Sequence, residues 1–72
     1  MSELSRREEA LVMPIVVEIA REQGVAVGEL RVLLGKKLST VTRVVQKLVD
    51  AGIVERRRFT HQYREASGLW LR

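Results

Sequence analysis

The chain has 72 residues, 46% hydrophobic, 31% charged and none cysteine, which leaves room for one soluble domain and excludes disulfide or cysteine–zinc frameworks. Its apolar runs are far shorter than the roughly 20 residues that cross a membrane, and no secretory signal pattern opens the chain; we expect a cytoplasmic protein. The net charge is +4, and residues 36–72 carry nine lysines and arginines against three acids, which favours a polyanionic partner.

The first predicted helix covers residues 5–23. Ser5 and Glu8 have the spacing of a capping box, in which each side chain satisfies a free amide at a helix start, and apolar residues then recur with a 3.6-residue period as far as Ile19. Pro14 lies inside this pattern, where proline removes a backbone donor and clashes with the preceding turn. We therefore expect a kink there, or two shorter helices with one of them beginning near Pro14.

Two further helices are predicted for residues 27–34 and 39–51. The first of them should direct inward the side chains of Val27, Leu30, Leu33 and Leu34. The second should be capped by Ser39 or a residue just before it, and Gly52 should close it. Its apolar arc consists of Val41, Val44, Val45, Leu48 and Val49.

Residues 53–72 are predicted to form a β-hairpin. The runs 53–59 and 69–71 are rich in β-prone residues, and the polar stretch 60–68 connects them. No Asn-Gly or Asp-Gly pair marks the turn, so the pattern does not predict the register of the strands. Three helices followed by a two-stranded wing indicate an α+β winged helix-turn-helix fold, with residues 1–72 as a single domain.

Three segments within residues 15–58 carry a family resemblance: Val27-Gly-Glu-Leu30, Leu38-Ser-Thr-Val-Thr-Arg43 and Leu48-Val-Asp-Ala-Gly-Ile-Val-Glu-Arg-Arg57. Together they resemble MarR-type bacterial transcriptional regulators and the related ArsR-type regulators. The resemblance implies that the helix at 39–51 lies in the DNA major groove and that the hairpin touches the backbone or minor groove. Additional terminal helices of that family form its dimer and enclose a ligand pocket, and residues 1–72 contain no match to the C-terminal one.

The predicted DNA-binding side chains lie on the recognition helix, the turn before it and the wing. The resemblance implies contacts by Ser39, Thr40, Thr42, Arg43, Gln46, Lys47, Arg56, Arg57 and Arg58. Lys36 and Lys37 are added because phosphates approach helix N-termini, although both could also be solubilising charges of a loop. Arg64 is added because it lies near the wing tip. By residue type alone, Arg43 can form paired hydrogen bonds with guanine and Gln46 with adenine. The alternative is that these polar residues form only a solvent-exposed helix face.

The three consecutive wing arginines cannot all face DNA. Successive strand residues point to opposite faces, so at most two of Arg56, Arg57 and Arg58 share the DNA side, and one of them could pack its aliphatic stem along the third helix. Trp70 is interpreted as an anchor that closes the hairpin on the helices.

No pattern in the sequence predicts an enzyme, a cofactor or a metal site. Ser39 has no histidine at local spacing and there is no glycine-rich phosphate loop. His61 is interpreted as a solvated residue without a chemical role. Three aromatic residues are too few for a platform that stacks single-stranded bases.

The sequence therefore predicts a sequence-specific regulator that binds double-stranded DNA. A homodimer is expected because two-fold operators match two-fold proteins, and apolar residues suggested for its interface are Leu4, Leu11, Val12, Leu69 and Leu71. The alternative is a winged-helix protein-protein interaction module or adaptor subunit with only non-specific DNA affinity. RNA binding is disfavoured because a helix cannot enter the narrow A-form major groove.

Overall fold

Helices and then a two-stranded antiparallel hairpin follow one another along the chain. The computed structural model describes residues 4–61 and 64–72, with the side chains of residues 4–60 and 67–72. In these residues the elements are α1 (Arg6–Glu9), α2 (Val12–Arg21), α3 (Val27–Leu34), α4 (Leu38–Asp50), β1 (Val54–His61) and β2 (Arg64–Leu71). The arrangement confirms the predicted α+β winged helix-turn-helix, with the region of the first predicted helix divided into α1 and α2.

The predicted capping box opens α1. The Glu8 amide donates to Ser5 Oγ at 3.2 Å, and the Ser5 amide donates to Glu8 Oε1 at 2.8 Å. The helix then breaks at residues 10–11, and Pro14 is the third residue of α2. A proline costs little there, because the first amides of a helix have no helical partner. The break allows the short α1 to pack against α4.

The hydrophobic core lies beneath α4. Val41, Val44 and Val45 are fully buried and Leu48 nearly so, which confirms the predicted apolar arc of this helix. The N-cap of α4 is Lys37 and makes no side-chain cap hydrogen bond, so Ser39 lies within the first turn instead of capping it. Other buried residues are Leu11, Ile15, Ile19, Val25, Leu30, Val54 and Leu69.

Two predictions about apolar residues are wrong. Leu33, expected to point inward, is 57% exposed, because the buried stripe of α3 runs through Leu30 and Leu34 and Leu33 lies about a quarter turn away from it. Leu11 and Leu69, suggested for a dimer interface, are only 7% and 1% exposed. The small core uses them fully, and it also packs against the partly buried Leu4, Val12 and Leu71.

The hairpin has a regular antiparallel register. Val54 pairs with Leu71, and the ladder continues to His61 opposite Arg64. Strand β2 thus begins at Arg64, five residues before the predicted start at Leu69, within the stretch assigned to the connection. Polar residues do not prevent pairing here, because an antiparallel ribbon tolerates a solvated face.

A close backbone contact ties the hairpin to the α2–α3 connection. The Gly24 amide donates to the Leu69 carbonyl at 2.7 Å, and the Leu69 amide donates to the Val25 carbonyl at 2.9 Å. Gly68 allows this approach, since a Cβ there would lie 2.9 Å from the Gly24 carbonyl carbon and 2.9 Å from Trp70 Cη2. The base of the wing is therefore held against the α2–α3 connection by backbone hydrogen bonds.

Candidate nucleic-acid interface

The outer face of α4 is the centre of the candidate interface. Because the valines of this helix turn toward the core, its polar residues face outward. Exposed residues of this face are Ser39, Thr42, Arg43 and Gln46, whereas Thr40 and Lys47 are half-buried. Both half-buried residues lie toward α1: Thr40 lines a groove with Arg7, and the charge of Lys47 acts on Glu8. The structure therefore brings the predicted helix residues onto one side of the fold.

Arg43 makes an ion pair with α1. Its Nε lies 2.7 Å from Glu8 Oε2, and the side chains of Arg43 and Glu8 are 46% and 14% exposed. Hydrogen bonds from Ser5 hold the pKa of Glu8 below its usual value of 4.5 against partial desolvation, and the charges of Arg43 and Lys47 lower it further. The carboxylate is therefore ionised at neutral pH, and the pair is lost only as the pH falls through this lowered pKa.

Gln46 is bound within its own helix. Its Nε2 donates to Asp50 Oδ1 at 3.0 Å. An exposed pair at this spacing contributes only about 0.2–0.5 kcal/mol, so a base edge can replace Asp50 as the partner of the amide.

The three wing arginines divide between the two faces of the hairpin. Arg56 and Arg58 are exposed on the face that also carries the buried Val54. Arg57 points to the opposite face, where its Nη2 lies 3.0 Å from Glu55 Oε2 and its guanidinium carbon lies 5.4 Å from the centre of the Trp70 ring. Arg57, which lies on the opposite face from Arg56 and Arg58, thus packs on Trp70.

Trp70 lies outside the main core. It is half-buried against Gly24, and Phe59 meets it edge to face with ring centres 6.2 Å apart. The prediction that Trp70 anchors the hairpin is therefore modified: it braces the face opposite the buried Val54 and Leu69, at the contact between the wing and the α2–α3 connection.

A basic groove lies beside the first turn of α4. It has a volume of about 660 Å³, and its polar lining consists of Arg7, Lys36, Lys37 and Thr40. Lys36 and Lys37 were predicted from sequence, but Arg7 was not. Nothing in the sequence near Arg7 distinguishes it from any other charge on a surface helix, and only the packing of α1 places it there.

The remaining predicted residue lies at the wing tip. The side chains of Arg64 and His61 lie outside the described residues. Within the described part of the chain, no three histidines or acidic residues are grouped to hold a metal ion. None of the helices described is long and apolar enough to cross a membrane.

Comparison with protein families shows a match to the MarR family. The model of the MarR family covers residues 9–65, more than half of the chain, from the end of α1 into β2. Glu8 lies one residue before this span. No curated protein and no solved structure matches the chain.

Proposed function

Because this chain belongs to the MarR family, we propose that it is a sequence-specific transcriptional regulator that inserts α4 into the major groove of duplex DNA. MarR family members are DNA-binding regulators rather than enzymes. The observation that carries the proposal is the polar outer face of α4, with the basic groove beside its first turn.

The dimensions and residue types of α4 suit this role. Its 13 residues form a rod about 20 Å long, and a rod of this kind fits a major groove about 12 Å wide. Recognition helices read bases with their N-terminal residues, and Ser39, Thr42 and Arg43 lie in that half of α4. Arg43 can donate to guanine, and the two hydroxyls suit a base or a phosphate.

The positive side chains around α4 supply backbone contacts in this proposal. Lys36, Lys37 and Arg7 meet phosphates next to the helix start, and Arg56 and Arg58 meet them from the wing. We further propose that the protein acts in the cytoplasm as a homodimer, because one module covers roughly 600–1,000 Å² of interface and two modules read a two-fold operator.

A second candidate function is supported by exposed apolar side chains on α3. Val32 and Leu33 are 69% and 57% exposed, and large apolar side chains on a surface favour contact with another protein. Under this alternative the domain is an adaptor whose binding to DNA depends on charge alone.

Selection from random-sequence duplex DNA distinguishes the two functions. The purified chain is used for repeated selection, and retained duplexes are titrated at about 50 and 200 mM salt. We expect enrichment of a palindromic site whose advantage over random DNA persists at the higher salt. No enrichment, together with affinity that collapses as salt rises, would instead support the adaptor.

The wing arginines provide a prediction specific to this structure. Arg56→Ala and Arg58→Ala should each lower the slope of log affinity against log salt by about 0.9, because each loses one phosphate contact. Arg57→Ala should leave the slope nearly unchanged, because Glu55 and Trp70 hold that side chain on the opposite face. Fluorescence anisotropy with a labelled duplex measures all three slopes; an equal reduction for Arg57→Ala would contradict the assignment of faces.

A further inference from the structure

We propose that Glu8 is a positioning residue that holds Arg43 for base recognition, so that an acidic residue of α1 sets part of the DNA specificity of α4. The inference rests on the proposed function. Glu8 lies outside the residues that match the MarR family, and the sequence predicted it as half of a capping box.

The carboxylate of Glu8 has a separate partner on each oxygen. Oε1 accepts the Ser5 amide at 2.8 Å, which fixes the carboxylate to the start of α1. Oε2 lies 2.7 Å from Arg43 Nε, within the range of a charge-assisted hydrogen bond. Arg43 is thereby connected to the backbone of a different helix through one rigid group.

The exposed fractions of the two side chains suit a role in which Glu8 supports Arg43 and does not compete with DNA for it. Glu8 is 14% exposed and Arg43 is 46% exposed, so the acid is shielded while half of the arginine surface remains open to solvent. A long side chain loses rotamer freedom when it binds. An arginine already ordered by Glu8 loses less of it on meeting a base, which is the general advantage of preorganisation.

An opposite role for Glu8 makes a different prediction. If the carboxylate only neutralises Arg43, its removal should strengthen binding to every DNA sequence alike, since one negative charge near the phosphates is lost. If it positions Arg43, its removal should strengthen binding to random DNA but weaken the preference for the selected site.

Glu8→Gln tests the inference, with Glu9→Gln as the matched control. Glutamine also serves in a capping box, so α1 should still form, and circular dichroism checks this. Glu9 is the exposed neighbour of Glu8, so both variants remove one negative charge from α1. Both should bind random duplex more tightly, but only Glu8→Gln should lose preference for the selected site, by about tenfold, within the range of a bidentate base contact.

A measurement on the free protein separates this inference from the proposed function. In ¹⁵N NMR spectra, the Arg43 Nε–H should exchange slowly with water in the wild type and in Glu9→Gln, and rapidly in Glu8→Gln. Equal exchange in all three proteins, or unchanged preference in Glu8→Gln, would overturn the positioning role alone. A wild type that selects no DNA site would overturn the proposed function and the inference together.

Discussion

Replacing Arg43 with alanine should weaken binding to the selected site by about 5- to 150-fold, or about 1–3 kcal/mol, and relax one base position. Arg43 is exposed at the centre of the outer face of α4, and its guanidinium can form two hydrogen bonds with a guanine. Competition titrations with the selected site and with variants changed at each position would measure both effects.

The control for this prediction lies in the turn before α4. Lys36→Ala should weaken binding to selected and random duplexes by the same factor, because a phosphate contact carries no information about the base sequence. Arg43→Ala also leaves the Glu8 carboxylate facing the interface without its arginine partner. Its negative charge near the phosphates should then lower the affinity for every DNA sequence. The double variant Glu8→Gln with Arg43→Ala removes that common loss. Equal losses of Arg43→Ala on selected and random DNA would show that Arg43 reads no base.

Gly68→Ala should destabilise the fold by about 2–4 kcal/mol, the sum of overpacking and weakened backbone hydrogen bonds. The new methyl group would press on the Gly24 carbonyl and on Trp70. The backbone cannot yield without lengthening the hydrogen bonds that join Gly24 and Val25 to Leu69. In a domain of this size the melting temperature should fall by roughly 10–25 °C, as thermal unfolding followed by circular dichroism would show.

Gly28→Ala is the matched control. It makes the same chemical change in α3, where a Cβ would have no neighbour within 4 Å. Because alanine has the higher helix propensity, this variant should be more stable than the wild type by up to about 1 kcal/mol. A Gly68→Ala protein as stable as Gly28→Ala would contradict the tight contact between β2 and the α2–α3 connection.

The features that sequence reasoning predicted are those that depend on local spacing. Ser5 and Glu8 are one helical turn apart, so their capping box follows from helix geometry. The alternation of valine and polar residues in 41–49 predicts which side of α4 is buried, since a helix repeats every 3.6 residues. The same periodicity predicted that Arg43 and Gln46 lie on the exposed face of α4. Together with the pattern of the wing, these patterns were enough to predict the fold class and the central residues of the candidate interface.

The features that sequence reasoning missed depend on contacts between distant parts of the chain. Leu33 was predicted to be buried because it is apolar, but the position of the other helices decides which stripe of α3 is covered. The length of β2 depends on pairing with β1, and pairing energy outweighs the polar composition of residues 64–68.

The candidate site shows the same division. Local sequence determined that α4 carries a polar face and that successive wing arginines alternate between faces. Only the tertiary structure decided that Arg57 lies against Trp70, that Arg7 joins the basic groove, and that Glu8 binds Arg43. The physical reason is that an ion pair between residues 35 positions apart leaves no trace in helical or strand periodicity. It exists because a break after α1 turns that helix onto α4.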